Sequence, residues 1–189
     1  EPLPYPNPNH CFFSGWRIGL NGGITFNTQS QHGFGMDLVL NKELSYVFDA
    51  RFSLGFRYLE SFDRVYMPLS VGFDMDWIQL FSRNKYQRRV ELYSMVGAGM
   101  AHNVHNDYFA NHGQFGWDGY AGLGFGVVLG KNYDCHIRIE SRVDAVGDIT
   151  KWDNTDLHQY TTIGFHYDMG LTRADRILKD AIARIWYLE

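Results

Sequence analysis

Apolar and polar residues alternate along most of the chain with a period of two residues. In the run FDARFSLGFRY, residues 48–58, every second residue is apolar, whereas Asp49, Arg51 and Arg57 share the opposite parity. This repeat is that of a β-strand whose two faces meet different environments. Because seven further runs show it, we predict an all-β fold with about eight strands of roughly nine to twelve residues, the length that crosses a bilayer when the strand is tilted.

The connections between these runs alternate between two kinds. One set is tight or basic, as in NKELSY (41–46) and GKNYD (130–134), whereas the other is mostly longer and rich in Asn, Asp, His and Gln, as in 101–114. An antiparallel up-and-down transmembrane β-barrel with short periplasmic turns and longer external loops has this arrangement, and we predict one over residues 12–169. Every lysine falls in a predicted connection or in the tail, and none within a predicted strand: Lys42, Lys85, Lys131, Lys151 and Lys179.

The run CHIRIESRVDA, residues 135–145, decides which parity faces lipid. Ile137, Ile139 and Val143 alternate there with ionic residues of both signs. An arginine facing hydrocarbon near the midplane would cost about 2–4 kcal/mol, so the ionic parity should face the lumen. The alternative is a soluble barrel with its apolar parity inward, but an interior about eight strands wide has no room for rows of Phe, Leu, Trp and Met.

The polar parity brings charges of both signs into the predicted lumen. Because a buried charge without a partner is costlier than a paired one, we expect ion pairs that fix the strand register and close the pore. The alternative is an ion-conducting lumen, for which a barrel of about eight strands leaves little space. The predicted lumen ion-pair network consists of Arg17, Asp37, Asp49, Arg51, Arg57, Asp74, Asp76, Glu91, Arg138, Glu140, Arg142 and Asp144.

After the eighth predicted strand the period changes to that of a helix. In residues 170–189, Thr172 is a candidate N-cap and apolar residues follow at helical spacing. We predict a short amphipathic helix on the periplasmic side, where an even number of strands places both termini. This helix would either skirt the barrel rim or dock on a partner or on the membrane surface. Residues 1–11 are predicted to be an extended Pro-rich segment. The predicted partner-binding residues are Ile177, Leu178, Ile182, Ile185 and Trp186.

Composition and charge narrow the function classes. The 189-residue chain is 16% aromatic and has a formal net charge of -4, with its arginines scattered through strands. No nucleic-acid partner is therefore expected. Charged or polar residues interrupt every window long enough for a membrane helix. Cys11 and Cys135 match no metal-ligand spacing and form either one disulfide or two free thiols. We predict no cofactor and no metal site.

Histidines gather in one long connection. His102, His105 and His112 lie there with Asp107, and His158 lies near the next long connection. Their spacing matches no specific ligand motif, and the sequence has neither a GxSxG nor a P-loop motif. We predict a solvated loop and no catalytic residue, with a weak metal site or acid/base chemistry at the external rim as the alternatives.

The pattern resembles the small OmpA-like and OmpX-like outer-membrane barrels of Gram-negative bacteria. The resemblance covers about residues 12–169 and rests on the strand pattern and on three segments: GAGM (97–100), GYAGLGFGVVLGKNYD (119–134) and IRIESRVDA (137–145). It implies a barrel in the bacterial outer membrane, in contact with the lipid bilayer and lipopolysaccharide.

These features favour a non-enzymatic outer-membrane barrel that is a structural or accessory subunit, with a larger secretion or assembly complex as its candidate setting. A closed, charged lumen is unsuited to transport, and the apolar face of the tail needs a protein partner. Two alternatives stay open: a lipid-modifying enzyme at the external rim, either an acyl hydrolase or a transferase, and a small pore. Small residues on the lipid-facing parity would let another membrane protein approach closely: Ser94, Ala98, Gly119 and Ala121.

Overall fold

The chain folds into one closed antiparallel sheet of eight strands. The structure is a computed structural model, and it describes residues 15–27, 32–45, 47–59, 64–81, 89–105, 115–129, 135–148 and 155–169. Each strand pairs with the next in the sequence, and β8 pairs with β1 to close the barrel. The strands are β1 (Trp16–Asn27), β2 (His32–Glu43), β3 (Phe48–Leu59), β4 (Arg64–Asp76), β5 (Val90–His105), β6 (Phe115–Leu129), β7 (Cys135–Asp148) and β8 (Thr155–Met169).

This architecture confirms the predicted eight-stranded up-and-down barrel. Trp16 and Met169, the first and last strand residues, lie opposite each other in the register of β1 and β8. We call this end of the barrel the terminal end and the other the loop end. The predicted Pro-rich segment 1–11 and the predicted helix in 170–189 lie outside the described residues.

The strands are longer than the sequence pattern predicts. They contain between 12 and 16 residues, and β5 continues into the segment AHNVH that the pattern assigns to a connection. The prediction that no lysine lies within a strand is wrong for Lys42, which belongs to β2 and has its ammonium 5.3 Å from the centre of the Trp16 ring. Ladder hydrogen bonds do not need apolar side chains, so pairing continues at the polar rims after the apolar alternation has ended.

A short helix, α1 (Trp77–Phe81), follows β4 at the terminal end, where the sequence pattern had continued the strand to Trp77. The backbone N–H of Gln79 donates to the Asp76 carboxylate at 3.0 Å. This side-chain cap ends the strand and begins the helix. Within the described residues, no helix has the length and apolar character needed to cross a membrane.

The two parities of each strand face opposite sides of the barrel wall. Leu69 and Ile163 point outward and are each 60% exposed, whereas Arg51 and Arg57 point inward and are fully buried. The outside is therefore apolar and the inside ionic. This is the reverse of a soluble barrel, and it is the arrangement of a transmembrane β-barrel.

Inward-facing glycines make room for tyrosine rings in the lumen. A Cβ atom added at Gly97 would lie 2.5 Å from ring atoms of Tyr120, and one added at Gly72 would lie 2.5 Å from the Tyr120 hydroxyl. Tyr120 is only 4% exposed. The ring therefore lies directly over the backbone of two neighbouring strands, an approach that only glycine permits.

We expect Gly97→Val to destabilise the barrel by about 1–3 kcal/mol, because the added side chain displaces the Tyr120 ring in a packed interior. Gly22→Val is the matched control, since a Cβ at the outward-facing Gly22 meets no atom within 4 Å. The free energy of unfolding is measured by urea titration in lipid vesicles. Equal losses for the two variants would contradict this account of the glycine.

Candidate functional site in the barrel lumen

Glu140 of β7 lies at the centre of the lumen and accepts hydrogen bonds from three other strands. Arg51 of β3 donates to both of its carboxylate oxygens, at 2.9 and 2.7 Å. Asn21 of β1 donates at 2.9 Å and Tyr93 of β5 at 2.8 Å. The side chains of all four odd-numbered strands therefore meet in one layer, which we call the central layer.

Arg51 also holds a second carboxylate. Its guanidinium lies 3.3 Å from Asp74 of β4, and Asn41 of β2 donates to the same carboxylate at 2.7 Å. Arg51 is 0% exposed and Glu140 is 2% exposed. Ions this deeply buried are stable only when their partners replace the lost water, and the central layer supplies those partners.

A second layer, the loop-end layer, joins β2, β3 and β7. Arg57 contacts both oxygens of Asp37, at 2.5 and 2.9 Å, and Arg142 lies 3.2 Å from the same carboxylate. Arg142 also lies 2.8 Å from Asp144. Both guanidinium groups stack on the Tyr160 ring, with their carbon atoms 3.7 and 5.1 Å from its centre. Planar guanidinium groups use aromatic faces and bidentate pairs together in this way.

A third layer, the terminal-end layer, joins β1, β5, β7 and β8. Arg138 contacts Glu91 at 2.8 Å, and Arg17 pairs with Asp168 and lies 3.5 Å from Glu91. His136 lies between the two acids, with one ring nitrogen 3.2 Å from Glu91 and the other 3.2 Å from Asp168. Arg138 also lies 3.5 Å from Asp74, which links this layer to the central one.

The structure places all twelve predicted lumen residues on the inner face, and ten of them contribute to the ion pairs of these three layers. The other two are Asp49, which lies opposite Asp74 in the strand register, and Asp76, which caps α1. Sequence reasoning left out Asp168, although it shares its parity with His166. It also missed three tyrosines of the lumen, Tyr93, Tyr120 and Tyr160. The sequence pattern that could have identified them is an aromatic residue on the polar parity of a strand.

One small cavity lies between the described side chains of the central and terminal-end layers. A cavity of about 10 Å³ lies toward the terminal end and is bounded by residues from β3, β4, β5 and β7, including Asp49, Asp76 and Tyr93. A cavity of this volume holds about one water molecule. At this depth the described side chains therefore leave room for about one water molecule.

Of the histidines considered for rim chemistry, the two whose side chains the structure describes, His102 and His158, lie on different faces of the barrel wall. His102 is on the outward parity, with its ring 4.8 Å from that of Phe115. His158 faces the lumen, is 4% exposed, and has its ring 6.0 Å from that of Tyr66. Within the described parts of the chain, no three His, Cys, Asp or Glu residues are grouped to hold a metal ion.

Several predicted positions lie outside the described residues. Two of them are His112 and Cys11, so neither a metal site in the loop nor a disulfide between Cys11 and Cys135 is tested. The others are the five predicted partner-binding residues of the tail: Ile177, Leu178, Ile182, Ile185 and Trp186.

Solved structures with the same fold are small barrels. The outer membrane enzyme PagL superposes with a TM-score of 0.54 at 10% sequence identity, covering 80% of this chain and 98% of PagL. Neisserial surface protein A (NspA) superposes with a TM-score of 0.59 at 12% identity, covering 82% of this chain and 97% of NspA. No protein-family model and no curated protein matches the chain. The chain therefore has the fold of small eight-stranded outer-membrane β-barrels.

We expect Glu140→Gln to lower the free energy of unfolding by about 1.5–3 kcal/mol, because a neutral amide weakens the charge-assisted hydrogen bonds from the buried Arg51 guanidinium, which keeps Asp74 at 3.3 Å as a carboxylate partner. Arg51→Met combined with Glu140→Leu should cost less than the two single changes added together. Urea titration in lipid vesicles gives the free energies of unfolding of the unaltered protein, Arg51→Met, Glu140→Leu and the double variant. These four values form a double-mutant cycle. Strictly additive losses would show that the two side chains are not coupled.

Proposed function

We propose that this chain is a non-enzymatic outer-membrane protein whose closed barrel is a structural or accessory subunit. The observation that carries the proposal is the ion pair between Arg51 and Glu140. These residues belong to β3 and β7, which are opposite each other in a ring of eight strands. Their side chains therefore meet across the full width of the lumen, where a conducting pore would need water.

The loop-end layer and the terminal-end layer also support a closed lumen. Arg17 of β1 reaches Glu91 of β5, a second contact between opposite strands. Near the loop end, Arg57 and Arg142 hold Asp37 between them. An ion crossing the barrel would have to separate buried pairs in three successive layers, and each separation leaves an uncompensated buried charge.

The outer surface supports a location in a bilayer, which we propose is the bacterial outer membrane. Its exposed apolar side chains include Leu38, Leu54 and Phe73, and they would meet acyl chains. We further propose that the terminal end faces the periplasm, so that both termini lie there. The tight and basic connections occupy this end, as they do in barrels of this class.

In the proposed accessory role, the C-terminal tail is the surface that binds a partner protein. Residues 170–189 leave β8 at the terminal end, and the apolar positions Ile177, Ile182 and Ile185 share helical spacing. An amphipathic helix buries such a stripe against another surface. In the proposed arrangement the barrel holds this helix at the membrane, where a periplasmic or outer-membrane partner binds it.

The rim-enzyme alternative has less support. A shared active site would need its acid/base groups on one surface, whereas His102 faces outward and His158 faces the lumen. The likeness to the enzyme PagL concerns the fold alone, and a fold does not specify a reaction.

We expect the protein inserted in a planar lipid bilayer to show no single-channel steps in symmetric potassium chloride. Flotation with lipid vesicles and a heat-modifiable band on electrophoresis confirm that the preparation is inserted and folded. Single-channel steps from the unaltered protein, with a larger conductance in the double variant Arg51→Ser and Glu140→Ser, would identify the lumen as a pore and contradict the proposal.

We expect the triple change Ile177→Gln, Ile182→Gln and Ile185→Gln to release co-purifying proteins while the barrel stays folded, because it removes the apolar stripe of the tail. The partner set is measured by mild-detergent extraction, native sizing and mass spectrometry. A matched control places three glutamines at Arg176, Lys179 and Asp180, which lie on the polar side of the same predicted helix. An unchanged partner set in the isoleucine variant would refute the docking role.

A further inference from the structure

The short helix α1 carries the most exposed large apolar side chain of the described residues. Phe81 is 77% exposed and Leu80 is 41% exposed, whereas Gln79 is only 6% exposed. The rings of Trp77 and Phe81 stack, with their centres 5.9 Å apart and their planes at 16°. One side of the helix therefore packs on the barrel, and the other presents two large apolar side chains to the surroundings.

The apolar side of α1 continues the lipid-facing wall of the barrel. Val71 and Phe73 of β4 point outward and are each 52% exposed, and Met75 and Trp77 follow on the same parity. The outward row of β4 therefore runs into the helix without a polar residue between them. Because β4 ends at Asp76, α1 lies where the wall of the barrel leaves the hydrocarbon. Side chains at this level meet the boundary between acyl chains and headgroups.

Trp16 and Lys42 mark the same boundary elsewhere on the terminal-end rim. They lie opposite each other on β1 and β2, and the Lys42 ammonium is 5.3 Å from the centre of the Trp16 ring. Tryptophan is enriched at the headgroup level of a bilayer, and a lysine on an apolar wall extends its ammonium to that level. Trp16 begins β1, and Trp77 directly follows the end of β4. Both tryptophans therefore lie at strand ends on one rim, as expected for residues at the bilayer boundary.

The sequence concentrates positive charge after α1. Residues 82–89, SRNKYQRR, contain four basic residues and no acid, whereas the other terminal-end connections, 44–47 and 130–134, have no net charge. Arg89 is the member of this basic group that the structure describes. It is exposed and directly precedes β5, the strand beside α1, and its carbonyl accepts a hydrogen bond from the backbone of Val128 at 2.8 Å. A basic residue beside an apolar surface at this level favours anionic headgroups.

We propose that Leu80, Phe81 and Arg89 form a binding surface for anionic phospholipid, which we call the α1 surface. The two apolar side chains enter the acyl boundary, and the guanidinium pairs with a phosphate. Two observations select this occupant: the surface continues the lipid-facing wall, and its charge is opposite to that of an anionic headgroup. The tail fits less well, since residues 170–189 contain four basic residues and three acids and offer no net negative charge. The inference goes beyond the proposed function and holds whether or not the lumen conducts.

The first test measures which headgroup the full chain retains. The purified protein in mild detergent is given equal amounts of phosphatidylglycerol and phosphatidylcholine with the same acyl chains, and native mass spectrometry counts the bound lipids. We expect phosphatidylglycerol to be retained in preference. Arg89→Gln should lower this preference by about fivefold, because it removes one charge near the headgroup, and Arg89→Lys should keep it. Equal retention of the two lipids by the unaltered protein would overturn the proposal.

The same assay tests the apolar part of the α1 surface. The double variant Leu80→Gln and Phe81→Gln should lower retention of both lipids, because it removes the side chains that contact the acyl chains. Phe115→Gln is the matched control, since Phe115 is 53% exposed and begins β6 at the loop end, away from α1. The control should retain lipid as the unaltered protein does, and a heat-modifiable band confirms that each variant is folded. Equal losses in the control and the double variant would overturn the assignment to α1.

Spin labels in vesicles of phosphatidylcholine and phosphatidylglycerol locate α1 relative to the bilayer. The labelled chains also carry Cys11→Ser and Cys135→Ser. A label on Phe81→Cys should collide more often with oxygen than with a water-soluble nickel complex, because oxygen partitions into the acyl region. A label on Ser45→Cys, at an exposed polar position of the same rim, should do the reverse. A label at position 81 in contact with water would overturn the proposal.

Photo-crosslinking in the native membrane identifies what covers the α1 surface. A photoreactive residue in place of Phe81 should form adducts with phospholipid. Adducts with residues 170–189, or with another protein, in place of lipid would overturn the proposal. None of these results changes the conductance measurement, so failure of the lipid surface and failure of the closed-lumen proposal are distinguishable.

Discussion

The carboxylate of Glu140 is the interaction on which the rest of the barrel depends. Its ligands come from β1, β3 and β5, while the acid itself belongs to β7. Main-chain hydrogen bonds join each strand only to its neighbours, whereas this one group joins strands across the ring. The layer also sets the strand register, because a slip of one residue on β7 would remove the acid from the lumen and place it in the wall's lipid-facing surface.

The buried charges explain why the barrel is filled by ions and aromatic rings instead of apolar side chains. With the apolar parity facing outward, the lumen receives mainly polar residues, and the cost of burying their charges is offset by mutual pairing. Tyrosine contributes both a flat surface for guanidinium groups and a hydroxyl for an acid: Arg57 stacks on Tyr160, and Tyr93 donates to Glu140. Glycines such as Gly97 give these rings their space.

The sequence was sufficient for the fold and for most of the charged residues of the lumen, because a strand of period two assigns each residue to one face, although Asp168 and the lumen tyrosines were left out. It could not give the pairing. Whether Arg51 meets Glu140 or another acid depends on the stagger of opposite strands, which no single strand records. It also could not give the end of β4, since Asp76 continues the alternation while its carboxylate caps a helix.

The ion pair across the lumen has a consequence for how the barrel is assembled. Arg51 and Glu140 are separated by 89 positions in the chain and belong to strands that face each other only when the sheet closes into a barrel. A half-inserted sheet would expose unpaired guanidinium groups to hydrocarbon, at about 2–4 kcal/mol each near the midplane. We therefore infer that insertion and closure are coupled, so that the guanidinium groups enter the bilayer already paired with carboxylates. We expect that an assembly factor that shelters the open edges until β8 meets β1 would lower the cost of exposing these guanidinium groups.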